Sequence, residues 1–498
     1  MPKLNTKLVF YIMGLLLVFN GGFMAIASLV SWYYQEAAAM QLSGASGLTI
    51  LSGLLMMLAT KTHLKDIRGR EGYLIVTLGW IVMSISGMLP YLFTNSITTI
   101  TKAFFETMSG YTTTGATILQ DIEILPRGVL LWRSLTHWIG GMGIIVLAVA
   151  ILPLLGIGGM QLFSAEAPGP SADKLKPRIT DTAKRLWLIY FGYTVAETVL
   201  LNVAGMGLFD AVNHALSTLS TGGFSTKNAS VAYWNDQPLI QYIIIVFMFL
   251  AGMNFIMSYF AFKGNFKRVF RDEEFKWYAI FVTGFTAIAA LIIYFRADLG
   301  LSSITHTLEF GRAEASFRHA LFQVLSVITT TGFVTADFTL WTPFLTILFF
   351  GLFFMGGSAG STAGGIKIVR HIIMIRNGIT EFKRSLHPNA ILPVRYNKLS
   401  IKHEIVFNVL GFFIVYMLAF IIGAVGFAAL GLDFPSALGG AASSLGNIGP
   451  AFGDLSPVDN FASLPAAGKW WSSFLMLIGR LELFTVLIVL TPFFWRNR

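Results

Sequence analysis

The sequence has no cysteine, and only 12% of its residues are charged. The first absence excludes disulfide frameworks, thiolate metal clusters and cysteine nucleophiles. The second, about half the ~25% charge of an ordinary soluble domain, argues against a soluble globule. An HExxH signature and a close pair of carboxylates within an apolar run are also missing, so an enzyme is not expected. Basic residues exceed acidic ones by 10. They fall in short clusters rather than along one face, so nucleic acid is not an expected partner.

What is present is apolar sequence, 55% of the chain. About 20 helical residues cross a ~30 Å hydrocarbon core. Runs of that order recur at roughly 8–33, 41–60, 73–93, 128–155, 186–206, 237–262, 276–295, 341–369, 403–430 and 469–494. Ten spans are expected. Lys3, Lys7 and Ala25-Ile26-Ala27-Ser28 imitate a secretory leader, but apolar sequence continues through Val30 and Trp32, so the first run reads as an uncleaved helix. Clusters of Lys and Arg at both ends and in every second connection put those segments, and both termini, on the cytoplasmic side.

The remaining connections each hold a moderately apolar segment too short to cross, near 100–111, 208–220, 316–328 and 434–446. At membrane depth these read as re-entrant helices. Each leads into a glycine turn: Thr112-Thr113-Thr114-Gly115, Ser220-Thr221-Gly222-Gly223, Thr329-Thr330-Thr331-Gly332 and Gly446-Asn447-Ile448-Gly449. The last glycines are spaced by 108, 109 and 117 residues, the mark of a fourfold internal repeat. Glycine takes positive φ without steric cost, so such turns let successive carbonyls face a common axis, and threonine hydroxyls can add ligands. Short helices ending there point their partly negative ends the same way. Four such turns would replace the hydration shell of a cation. The fold expected is an all-α polytopic membrane protein. Its four helix–pore loop–helix units surround a pseudo-fourfold pore, and a two-helix extension precedes them.

These turns resemble the selectivity filters of the Trk/Ktr/HKT superfamily of potassium transporters, most closely its TrkH branch, and the likeness runs along essentially the whole chain. The segments Thr112–Thr117, Ser220–Thr226 and Thr330–Phe333 carry it, and Ser444–Pro450 resembles the looser fourth filter. The resemblance implies K⁺ as the transported ion, since Gly115 stands where some plant relatives that carry Na⁺ have serine. It implies uptake across a bacterial inner membrane, by a homodimer seated on a cytoplasmic, nucleotide-binding, TrkA-like RCK subunit. It brings no cofactor. The alternative is an ion-coupled K⁺/H⁺ or K⁺/Na⁺ symporter using the same site. The expected division is an extension at 1–71 and pore units at 72–162, 163–270, 271–398 and 399–498.

Two further features interrupt the apolar pattern. Gly356-Gly357-Ser358-Ala359-Gly360-Ser361-Thr362-Ala363-Gly364-Gly365-Ile366-Lys367 is a poor helix within the eighth span. Irregular backbone at that depth must be enclosed by protein or line water, and relatives have an intramembrane gating loop there; close helix packing through small residues is the alternative. Arg480, inside the tenth span, is costly to bury and reads as functional, with a packing salt bridge as the alternative. By resemblance it lies beside the gate, below the filter. Asp121, Asp337 and Asp454 follow the first, third and fourth glycines and read either as a mouth that gathers cations or as solvated loop charges, with Lys227 at the comparable place in the second unit. His137, His214 and His319 read as hydrogen-bonded structural residues, and Glu106 and Glu197 are the most suggestive buried carboxylates.

Overall fold

The computed structural model describes residues 4–60, 69–143, 179–297 and 310–496. The end of the fourth expected span, 144–155, and the basic positions Lys61, Lys65, Arg68, Lys174, Lys176 and Arg178 lie outside the described residues. Helices dominate. The sheet found among the described residues is a two-residue hairpin, Arg395–Tyr396 against Leu399–Ser400.

Among the described residues, six helices are long and apolar enough to cross a membrane. The first two, α1 (Thr6–Tyr33) and α2 (Ala38–Ala59), form a hairpin. Lipid gives helices no hydrophobic reason to associate, so they meet through small residues that let the backbones close. A Cβ on Gly53 would lie 2.6 Å from the Gly14 carbonyl oxygen, and Ser46 Oγ donates to Gly21 O at 2.8 Å. The others are Arg70–Phe93, which overlaps α3 (Gly69–Gly87), then Lys184–Val203, Glu273–Arg296 and His403–Ala429. Each of these four opens a repeat. Each is followed by a short helix: Ile100–Tyr111, Leu208–Leu219, Gly311–Ile328 and Phe434–Gly446. The third starts some five residues earlier than its apolar sequence suggests, because Arg318 on its first turns is held by Glu314 and Gln241.

The second helices of the repeats depart from the expected continuous spans. The sixth span is two helices, Pro238–Gly252 and Phe255–Phe262, bent by 109°. Met253 goes extended and the Asn254 side chain accepts from Ile256 N at 2.8 Å, capping a new helix. The tenth is Ala466–Arg480 and Phe484–Leu490, bent by 116°. Here Glu482 and Leu483 take φ of 52° and 57°, and Phe484 N returns to Glu482 O in a tight three-residue turn. The eighth is the helix Pro343–Leu352 followed by irregular chain to Ile368. The fourth holds the helix Arg127–Gly141, and its remainder from 144 lies outside the described residues. In the sixth and tenth, apolar composition continues through a break that one or two backbone dihedrals create.

If the close glycine contact holds α1 to α2, Gly53→Leu should destabilise the protein by about 1–3 kcal/mol through overpacking. A lower thermal midpoint in detergent is expected; an unchanged midpoint would mean that the helices do not pack this closely.

Candidate functional site

Each short helix ends in the same way. Two residues before the last glycine of each turn, Thr113, Thr221, Thr330 and Asn447 take left-handed φ of 51°, 55°, 54° and 55°. The next amide then turns back: Thr114, Gly222, Thr331 and Ile448 donate to the carbonyls of Ser109, Ser217, Ser326 and Ser443 at 2.8–3.0 Å. This is a Schellman closure, which satisfies carbonyls the helix end would leave open. Gly115, Gly223, Gly332 and Gly449 follow with φ of 79°, 83°, 78° and 100°. A serine six residues before each glycine is a repeat signal that the turns alone do not reveal. Asn447 departs from the threonine of the other loops, yet asparagine accepts the left-handed conformation more readily than a β-branched residue.

The four turns close into a ring. A Cβ on Gly115 would lie 2.1 Å from the carbonyl oxygen of Gly222, one on Gly223 2.2 Å from Thr331 O, and one on Gly332 2.1 Å from Ile448 O. The circuit completes with Gly449, whose Cβ would lie 2.6 Å from Thr114 O. Every turn therefore abuts the next in chain order, and the four glycines surround one axis. All the residues from Thr112 to Thr114, Ser220 to Thr221, Thr329 to Thr331 and Gly446 to Ile448 are buried. Most of the hydroxyls, expected as extra ligands, also make hydrogen bonds within the protein. Thr112 and Thr329 donate to Met108 O and Leu325 O, and meet Thr114 and Thr331 at 2.8 Å. Ser220 and Thr221 bond to nearby carbonyls, and Asn447 Nδ2 donates to Thr114 Oγ1 at 3.0 Å. The backbone is what the turns have in common.

Behind the ring, polar side chains nine residues before the first three glycines reach the ascending chain. Glu106 accepts from Thr117 Oγ1 and Ile118 N and pairs with Arg133 at 3.0 Å, both side chains buried. His214 Nε2 meets Ser225 Oγ at 2.9 Å, and Gln323 Nε2 donates to Thr335 Oγ1, which His319 Nδ1 also meets. His137 stacks on Phe224 and meets Ser217 Oγ at 3.0 Å. Adjacent units are stitched together by Arg133 to Ser225 O, Ala232 N to Val334 O and Phe461 N to Thr117 O. Glu197 is buried on Ile179–Val203.

One side of the ring opens into a cavity lined by the four glycines with Ser225, Asn228 and Asp459. Asp121 and Asp454 are exposed outside this lining, whereas Asp337 is buried and accepts from Thr339 N and Oγ1. The three do not form one acidic mouth.

The irregular segment occupies the other side. Thr362 Oγ1 donates to Leu219 O at 2.9 Å in the second unit, and Gly364 N donates to Thr330 Oγ1 at 2.6 Å in the third. A Cβ on Gly364 would lie 2.6 Å from Gly446 O in the fourth. Arg480 donates to Thr362 O at 2.7 Å and to Gly140 O and Gly141 O of the first unit at 2.8 and 3.1 Å. Segment and arginine together thus contact the ends of all four quarters. The segment folds on itself through Gly356 N to Ile366 O and Lys367 Nζ to Ala363 O. Gly360 and Gly365 have φ of 73° and 64°, and Gly357 O accepts from Ile368 N. Its outer flank is fixed by Ser358 N to Gly252 O and Ala359 N to Glu274 Oε1 at 2.7 Å. Gly356–Gly360 also has the G-x-S-x-G spacing of a hydrolase nucleophile elbow. It lacks the strand-to-helix turn that chemistry needs, and Ser358 Oγ has no partner among the described residues. Glu482 pairs with Arg370.

Four quarters of one membrane chain, wound about a single axis and closed by glycine turns, define a class of membrane transport proteins. The chain belongs to the family of TrkH cation transport proteins, whose family model matches residues 41–496. The Trk system potassium uptake protein TrkH of Salmonella typhimurium is 41% identical over 489 residues, 98% of each chain. The Escherichia coli Trk system potassium uptake protein TrkG is 35% identical over 442 residues, 88% of each chain. The crystal structure of the potassium transporter TrkH from Vibrio parahaemolyticus superposes with a TM-score of 0.86 at 36% identity, covering 99% of this chain and 100% of that one.

Removing one member of the buried Glu106–Arg133 pair leaves an uncompensated charge. Arg133→Met should cost about 3–5 kcal/mol, and the double variant Glu106→Gln/Arg133→Met should recover most of it. Thermal midpoints in detergent read this directly, and equal midpoints for the single variant and the parent would contradict it.

Proposed function

We propose that the chain takes up K⁺ across the bacterial inner membrane, through a pore whose selectivity filter is the backbone of residues 112–115, 220–223, 329–332 and 446–449. The supporting observation is the closed circuit in which each glycine abuts the preceding carbonyl of the next loop. Carbonyl oxygens on a shared axis replace the water that a cation must shed. Four helix C-termini at the same level add partial negative charge, favouring a cation over an anion. Potassium rather than sodium is favoured because the relatives are named potassium uptake proteins.

Residues 356–367 serve as the gate in this reading. A segment touching three quarters, with Arg480 bridging it to the first, blocks the axis until it withdraws. The positive charge of Arg480 raises the barrier to a cation in that closed state. Both termini and the basic connections face the cytoplasm. The units divide at 72–162, 163–270, 271–398 and 399–498 behind an extension at 1–71. The functional assembly is a homodimer on a nucleotide-binding RCK-type subunit.

Purified protein in liposomes should take up Rb⁺ or K⁺ in preference to Na⁺. Equal uptake of Na⁺ and K⁺, or no K⁺ uptake, would overturn the proposal. Gly332→Val should cut K⁺ uptake or selectivity by about tenfold or more, because a β-branched residue is strained at positive φ. Deleting residues 357–364 should raise the leak, whereas reduced flux with intact assembly would make the segment a packing element. Arg480→Ala should speed permeation; a merely unstable protein would make the arginine structural.

A further inference from the structure

We propose that Asn20, on the N-terminal helix α1, is a positioning residue for the first filter strand. The inference rests on the reading of residues 112–115 as part of that filter. Asn20 lies ahead of residues 41–496, the part matched by the family model. It is fully buried, and both ends of its amide are used: Nδ2 donates to Ser86 Oγ at 2.8 Å, and Oδ1 accepts from the Tyr111 hydroxyl at 2.5 Å.

Tyr111 is the last residue of the first short helix, next to Thr112. Its ring lies in a slot that only a glycine leaves open: a Cβ on Gly87 would lie 2.8 Å from its Cε2 and 3.1 Å from its hydroxyl. Its carbonyl packs as closely against the second helix of the same unit, where a Cβ on Gly140 would lie 1.8 Å from Tyr111 O. The Gly140 carbonyl in turn accepts from Arg480. Tyr111 is therefore fixed at its hydroxyl by α1, along its ring by α3, and at its carbonyl by the helix that meets the gate. The equivalent positions in the other units are Leu219, Ile328 and Leu445, whose side chains offer no hydrogen bond. The first quarter alone is keyed to the extension by a side-chain hydrogen bond at this position.

In this buried site, losing the Asn20–Tyr111 hydrogen bond from either end leaves a polar group unpaired and the Tyr111 side chain unanchored at its tip. A side chain free to shift in its slot lets the adjoining Thr112 and Thr114 leave their positions, which alters the geometry of one quarter of the ring. The effect falls on selectivity.

The test is competitive Rb⁺ and Na⁺ uptake into liposomes by the full chain carrying Asn20→Leu, Tyr111→Phe or both, with thermal midpoints measured in parallel. Each single variant should lower the K⁺-over-Na⁺ ratio by about fivefold or more. The double variant should do no worse than the poorer single one, because both remove one interaction. Tyr111→Phe keeps the ring and its packing, so it decides the matter if Asn20→Leu does not assemble. A parental ratio in Tyr111→Phe, alongside a collapsed ratio in Gly332→Val, would overturn the role of Asn20 and leave the filter reading intact. A parental ratio in Gly332→Val as well would overturn the filter reading itself.

Discussion

The architecture depends on one contact repeated four times: a glycine α-carbon pressed against the carbonyl of the residue before the next glycine. No side chain fits there, since any Cβ would come within 2.6 Å of that oxygen. The contact needs two left-handed residues per turn, the second of them a glycine. It also needs a helix that stops on cue, which the serine carbonyl six residues back provides by receiving the returning amide. The spans, the re-entrant helices and the polar ties behind the turns hold these four approaches in register.

Having all four quarters in one chain frees each from symmetry. The first braces its ascending strand with a buried Glu106–Arg133 ion pair, the second with His214, and the third with Gln323 and His319. The fourth instead spends Asn447 on cross-links to Thr114 and to Met476 O. The third also contributes the irregular segment that lies against its sister units. A homotetramer would have to place any such segment four times around the axis. Unequal quarters are what allow a single irregular segment of this kind, met by Arg480 from the fourth quarter.

The repeat was legible in the sequence because glycine turns and sub-spanning helices leave compositional marks. The predicted short helices at 100–111 and 434–446 coincide with the observed ones. The breaks at Met253 and Leu483 were not legible, since apolar residues run on through both and the bend lies in backbone dihedrals. Asn254 is a faint trace of a cap; Leu483 in a left-handed conformation has none. Arg480 stood out as a charge in an apolar run, but its acceptors are carbonyls of Thr362, Gly140 and Gly141, which no side-chain pattern announces. The threonine hydroxyls, read in the sequence as possible ligands, donate to carbonyls at the helix ends in the fold, bonds that the turn motif itself does not announce.

The central claim is that backbone oxygens on this axis hold a dehydrated cation, and locating the ion tests it most directly. Crystals grown in Rb⁺ should show anomalous density on the axis, at the level of the carbonyls of Thr114, Gly222, Thr331 and Ile448. Density confined to surface carboxylates, with none on the axis, would contradict the account.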